Sequence, residues 1–171
     1  MTVQTLTPFY PYDYIIFYRW TSPDGTYERG RVIARLVTEM LKKRSRQVWL
    51  DQLEMQRTTT PTQVVGKIAE IFLKVPQVII LAGPGDWLRF SDSNDIHRWE
   101  WELSLQSDKK IWLLQYGLPE GMCALSDTEL SKSLRGHCPR IAELASKKDI
   151  QARVLTMDNI DEILREITEA Y

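Results

Sequence analysis

The stretch Ile96-His97-Arg98-Trp99-Glu100-Trp101-Glu102-Leu103 sets two carboxylates among aromatic side chains and an arginine, between two apolar runs. A carboxylate in such a setting can move a proton or steady a positive charge that develops on a substrate. Glu100 and Glu102 are two residues apart, so on a helix they point about 200° away from each other and cannot serve one site as an acid and base pair. At most one of them faces a cleft. Helical spacing lays Ile96, Trp99 and Leu103 along one apolar stripe, with Glu100 on one flank and Glu102 on the other, beyond Trp99. Trp101 and Leu105 make a second track on the opposite side, which predicts that this helix meets something besides its own sheet, such as another subunit. Taken alone, the pattern favours solvated helix charges for both glutamates and leaves open which of them does chemistry.

Other patterns carry less. Gly83-Pro84-Gly85 has the look of a phosphate-cradling turn, but GK[ST] is missing and no GxGxxG occurs, so it reads as a strand-end turn. Ser22, Ser91 and Ser93 lie in no G-x-S-x-G elbow. Cys123 and Cys138 with His97 and His137 offer no CxxC spacing and too few ligands for zinc, so neither a metal site nor a disulfide framework is expected. Trp87, Trp99, Trp101 and Trp112 could form a stacking platform; Trp112 is read as core and Trp87 is left open.

Those residues have to be positioned by a core, and 171 residues at 43% apolar and 26% charged can bury one. Residues 1–12 are expected to form an N-terminal arm and 13–171 one domain. Lys and Arg number 22 against 23 Asp and Glu, so the basic footprint of a general nucleic-acid binder is absent. The cluster Lys42, Lys43, Arg44, Arg46 reads as cations at a helix C-terminus. No apolar run approaches the ~20 residues that span a bilayer, and the N-terminus lacks a secretion signal, so a cytoplasmic protein without membrane or nucleic-acid partners is expected.

Apolar runs at Tyr14 to Trp20, Gln47 to Asp51, Val78 to Ala82, Ile111 to Tyr116 and Gln151 to Leu155 predict five strands. Helical periodicity follows each: Val32 to Leu41; Val64 to Val75 after a polar loop from Gln52 to Thr60; a helix beginning near Asp95; one interrupted helix or two short ones between Gly117 and Lys148; and a last helix capped by Asp158. Ser126 with Glu129 has capping-box spacing, and Pro139 suits a first helical turn. Such alternation predicts a five-stranded parallel sheet with helices on both faces. Ligands of such sheets gather at the carboxyl ends of the strands, here Tyr18 to Trp20, Asp51, Ala82 to Trp87 and Tyr116.

These residues resemble a TIR domain of the bacterial kind, a flavodoxin-like α/β fold. Asp13-Tyr14-Ile15-Ile16-Phe17-Tyr18-Arg19 is similar to that family's first strand, D-[VY]-F-I-S-Y-R, and Val48-Trp49-Leu50-Asp51 to its second, ending at the aspartate that opens the BB loop. Val78 to Leu81 with the Gly-Pro turn resembles the third strand and its S-P-x-[YW]. Arg98 to Trp101 with Ser104 resembles the helix W-V-x-W-E-L-x-x-A. The match spans residues 13 to 116 and places Glu100 at the family's catalytic position; Glu102, the runner-up, falls on a variable one. The family's strand serine is Phe17 here, the tryptophan four before the glutamate is Ile96, and the loop from Gly83 to Asn94 is longer, all on the expected rim.

The resemblance implies cleavage of the nicotinamide N-glycosidic bond of NAD+, which is substrate and not cofactor, in antiviral or immune-like defence and activated by self-association. Arg19, Trp20 and Trp87 are the candidates for gripping the pyrophosphate or stacking on a ring. The alternative is a non-catalytic TIR interaction module that associates through the BB loop and the helix bearing Trp101 and Leu105. Nucleoside deoxyribosyltransferases also set a glutamate against a sugar, but carry Gly-Pro near the first strand, whereas Gly83-Pro84 follows the third.

Overall fold

The computed structural model describes residues 10–20, 29–55, 60–117 and 127–170. Its strands are β1 (Tyr14–Phe17), β2 (Val48–Trp49), β3 (Gln77–Ala82), β4 (Lys110–Gln115) and β5 (Ile150–Val154). The helices are α1 (Arg29–Lys43), α2 (Asp51–Glu54), α3 (Pro61–Phe72), α4 (Ile96–Leu105), α5 (Asp127–Arg135), α6 (Pro139–Ser146) and α7 (Ile160–Glu169), with a 3₁₀ turn over Asp86–Arg89. The sheet has the order β2-β1-β3-β4-β5 and every neighbouring pair is parallel, so the expected five-stranded flavodoxin-like sheet is present. Parallel strands need crossovers, and these bury both faces of the inner strands, which is why β1 and β3 read as nearly unbroken apolar runs, while the edge strand β5 carries Gln151 and Arg153 and is only partly buried.

Alternate residues of β1 divide the core. Tyr14 and Ile16 join Ile79, Leu81, Trp112 and Leu114 under α1 and α7. Ile15 and Phe17 join Val78, Ile80, Ile111 and Leu113 under α3, α4, α5 and α6. Phe17 is therefore core, stacked on Phe72 at 6.2 Å, and this departure from the family pattern does not reach the rim. Trp112 is buried and its indole nitrogen donates to Gln77 Oε1 at 3.0 Å, as its assignment to the core required.

Several boundaries shift for local reasons. α3 begins at Pro61 because Thr60 and Gln63 form a reciprocal capping box: Gln63 N donates to Thr60 Oγ1 at 3.3 Å and Thr60 N to Gln63 Oε1 at 2.9 Å. The polar loop after β2 opens with the single turn of α2. α5 and α6 are two helices, and Pro139 does occupy the first turn of the second. The lead into α7 is held by Thr156 and Asn159, whose side chains accept each other's backbone N–H, so Asp158 is not the cap. Of the remaining expectations, residues 1–9 of the arm, Ser22, Cys123 and Ser126 lie outside the described residues.

The largest correction concerns α4. Trp101 is fully buried and Leu105 nearly so, both in the core beneath the sheet face. The second apolar track meets this chain's own interior, and Trp101 cannot be an assembly contact. α6 covers the flank bearing Glu102, whose carboxylate lies 3.4 Å from Arg140. Among the described residues no helix is long and apolar enough to cross a membrane.

Candidate functional site

β1 lies between β2 and β3, and the chain leaves it toward β2 but leaves β3 toward β4, so the strand order reverses at the β1–β3 boundary. In open parallel sheets the crevice beyond the carboxyl ends at this switch point is where ligands bind. Tyr18, Arg19 and Trp20 run out of β1 there; Asp51 begins α2 directly after β2; Gly83 to Asp95 leads from β3 into α4. Two close approaches shape the rim. A Cβ on Gly30 would come within 2.5 Å of the Arg19 carbonyl, so α1 packs on that backbone only through a glycine. A Cβ on Gly83 would meet the Tyr116 hydroxyl at 2.5 Å.

Arg19 is 5% exposed, and its two terminal nitrogens are paired inside the protein while Nε is buried with no hydrogen-bond partner among the described residues. Nη1 and Nη2 donate to the two oxygens of Asp95 at 2.7 Å each, and Nη2 also donates to the Asp86 carbonyl at 2.7 Å. A bidentate fork of this kind is the strong form of an ion pair. Asp95 is at the same time the N-cap of α4, accepting from Arg98 N. Asp86 accepts from Gly83 N at 2.7 Å, yet burial pushes its carboxyl up to about 6 against the pull of that N–H and of Arg19. Arg19 thus pins the long β3–α4 loop; a grip on pyrophosphate would require it to release Asp95.

A third carboxylate stands at the end of β2. Asp51 Oδ1 accepts from the Tyr18 hydroxyl at 2.8 Å and from Gln52 N at 2.6 Å, and Oδ2 accepts from the Trp20 indole at 2.6 Å. Burial raises the Asp51 carboxyl, with those three donors pulling the other way. Trp20 keeps 44% of its surface open, so its ring is oriented by Asp51 while a face remains available for stacking.

Glu100 is 4% exposed, with Oε1 3.0 Å from His97 Nδ1. Burial holds its carboxyl well above the usual range, the charges of Asp51 and Asp95 add to this, and Arg19 opposes it. Tyr18 also feels the Glu100 charge, which places Tyr18, Asp51 and Glu100 in one electrostatic neighbourhood. His97 is buried and neutral for the same first reason, with Arg19 adding to the effect. Glu102 instead points along the helix flank to Arg98 and Arg140, each at 3.4 Å. The structure therefore brings Glu100, Arg19 and Trp20 to one rim and leaves Glu102 outside it. Trp87 packs edge-on against Trp101 at 6.4 Å, half-buried on the core side of α4, its indole nitrogen buried with no partner among the described residues.

Sequence reasoning passed over His97, Asp86 and Asp95. His97 had a local signal, since it sits three residues before Glu100 and four before Trp101, on one helix face. The two aspartates had none, because their partner is Arg19, 67 and 76 residues away. Among the described residues no three His, Cys, Asp or Glu side chains are grouped so as to hold a metal ion.

No protein-family model matches the chain, and no curated protein sequence does. Among solved structures it is similar to a metazoan TIR-STING receptor from C. gigas, determined in complex with 2',3'-cGAMP, with a TM-score of 0.55 and 13% identity. The match covers 95% of this chain and 40% of the receptor chain. At that identity the likeness is one of fold: the chain has a TIR-like, flavodoxin-type α/β architecture.

Proposed function

We propose that the protein cleaves the N-glycosidic bond of NAD+, with Glu100 as the carboxylate that stabilises the sugar cation. The observation that carries this reading is a buried glutamate that feels the charge of Asp51, the carboxylate on which the exposed Trp20 is oriented. The reaction suits such a group. Nicotinamide leaves with the bonding electron pair and becomes neutral, so no general acid is needed; positive charge builds on the ribose and calls for a carboxylate. Water then adds at the anomeric carbon and releases a proton, giving ADP-ribose, or a ribose-adjacent nucleophile of the same molecule closes a cyclic product.

A carboxyl held protonated by burial would make a poor partner for that cation, but the substrate supplies the correction. A cationic nicotinamide entering the site favours the ionised form of Glu100, so binding expels its proton and leaves the charge where the transition state needs it. In this reading Trp20 stacks on a ring of the substrate, Arg19 holds the loop that carries Trp87, and neighbouring copies assemble to switch activity on in a defence setting. Nicotinamide release by the purified protein at high concentration is the test. Glu100→Ala is expected to lower the rate by about 100-fold or more, and Glu102→Ala to leave it nearly unchanged. Equal rates for wild type and Glu100→Ala would remove Glu100 as the catalyst, and no release at any concentration would favour the non-catalytic interaction module.

A further inference from the structure

We propose that His97 is a positioning residue that fixes the Glu100 carboxylate through a one-way chain of hydrogen bonds running from Trp101; this deepens the role given to Glu100 above and rests on it for its catalytic consequence. The chain can be read from donor chemistry alone. An indole N–H can only donate, and Trp101 Nε1 lies 3.3 Å from His97 Nε2, so that nitrogen must be bare. A neutral imidazole then carries its proton on Nδ1. Nδ1 lies 3.0 Å from Glu100 Oε1, so it donates there. The imidazolium form would set an N–H against the indole N–H and is excluded by the same geometry. Burial, reinforced by the nearby Arg19 charge, disfavours it as well.

The three side chains stand at i, i+3 and i+4 on the inner face of α4, each nearly or wholly sealed from water. Trp101 is the rigid end: its ring is wedged edge-on against Phe90 at 5.6 Å and Trp87 at 6.4 Å. The groups around the three side chains are Arg19 just beyond β1, Asp95 at the helix start, and Asp51 with Tyr18 across the rim. Among them, the described residues give the Glu100 carboxylate one hydrogen-bond donor, and it is His97. Oε1 accepts in both protonation states of Glu100, so the proton that comes and goes sits on Oε2. One oxygen is thereby reserved for orientation and the other for substrate.

The full chain has two histidines, so long-range nitrogen–proton NMR spectra of the labelled protein resolve His97 once His137→Gln identifies the other. At neutral pH the expected result is a protonated Nδ1 and a bare Nε2. An Nε2–H tautomer, or an imidazolium, overturns the proposal without need of any active-site variant. His97→Leu removes the donor, and His97→Asn places an amide N–H where Nδ1 stood. Glu100 is expected to titrate at higher pH in the leucine variant and to return toward wild type in the asparagine variant, followed by carbon NMR of its carboxyl. Titration that is the same in all three sinks the idea. For nicotinamide release, His97→Leu is expected to lower kcat by about 10- to 100-fold with little change in KM, and His97→Asn to restore most of it. If the tautomer and titrations are as expected but wild type releases no nicotinamide, the hydrogen-bond chain stands and the proposed activity falls.

Discussion

Glu100 sits where its ionised form opposes folding. Its folded pKa is raised above the unfolded one, so the stability tied to its proton is present below the ordinary carboxylate range and lost as pH rises toward the folded value. Glutamine imitates the protonated form and cannot ionise. Glu100→Gln is therefore expected to raise stability at about pH 8 by about 0.5–2 kcal/mol while removing activity, with the gain shrinking as pH falls toward 4.5; thermal melts at several pH values check it. No gain at high pH would mean that the carboxylate is well solvated when ionised. Helical periodicity did not single this residue out, since a stripe built from Ile96, Trp99 and Leu103 points to the wrong face. The inner face of α4 mixes Trp101 and Leu105 with the polar His97, Glu100 and Ser104, and a pattern that counts apolar residues is blind to buried polar ones. The order and spacing of the family motifs, not periodicity, separated Glu100 from Glu102.

At the level of elements, the strands were legible because two-sided burial leaves apolar runs, and the start of α4 was legible near Asp95 from helical spacing, while the capping role of Asp95 was not. The loop between β3 and α4 was legible only as length. Its shape depends on Arg19, whose three partner oxygens belong to residues far along the chain, and a sequence read locally shows Arg19 as a free cation at a strand end. Removing one partner of a buried pair leaves an uncompensated charge. Arg19→Leu is expected to lower stability by about 3–5 kcal/mol, measured by urea unfolding, and the double variant Arg19→Leu with Asp95→Asn to recover part of that loss. A cost under about 1 kcal/mol would place the pair in the class of solvent-screened surface bridges.

For the whole molecule, alternation of strand and helix was enough to give a parallel sheet, but not to say which strands are neighbours; the reversal between β1 and β3 is a property of the closed fold and is what gathers the rim. A net charge of −1 hides a strong local asymmetry, with Asp86, Asp95 and Glu100 drawn around Arg19 and Asp51 within reach of the Glu100 charge. This asymmetry sets how the entire fold responds to pH. Asp51, Asp86 and Glu100 all hold their protons to higher pH in the folded chain, Asp86 up to about 6, so the stability tied to each is present in acid and lost as pH rises through the folded value. His97 works in the opposite sense: burial lowers its pKa, the unfolded chain takes up the proton first, and stability falls as pH drops below about 6.5. Above about pH 7 the unfolded histidine no longer takes up a proton, so the raised Glu100 carboxyl acts without that opposition and the melting temperature is expected to be higher near about pH 7 than near about pH 8.5. Tyr18 and Tyr116, both raised by burial, add a further loss above about pH 10, where the unfolded tyrosines ionise first. A melting temperature that climbs steadily from about pH 7 to about pH 8.5 would mean that Glu100 is ionised and paired in the folded state, which removes the proton that the proposed site gives up to a cation.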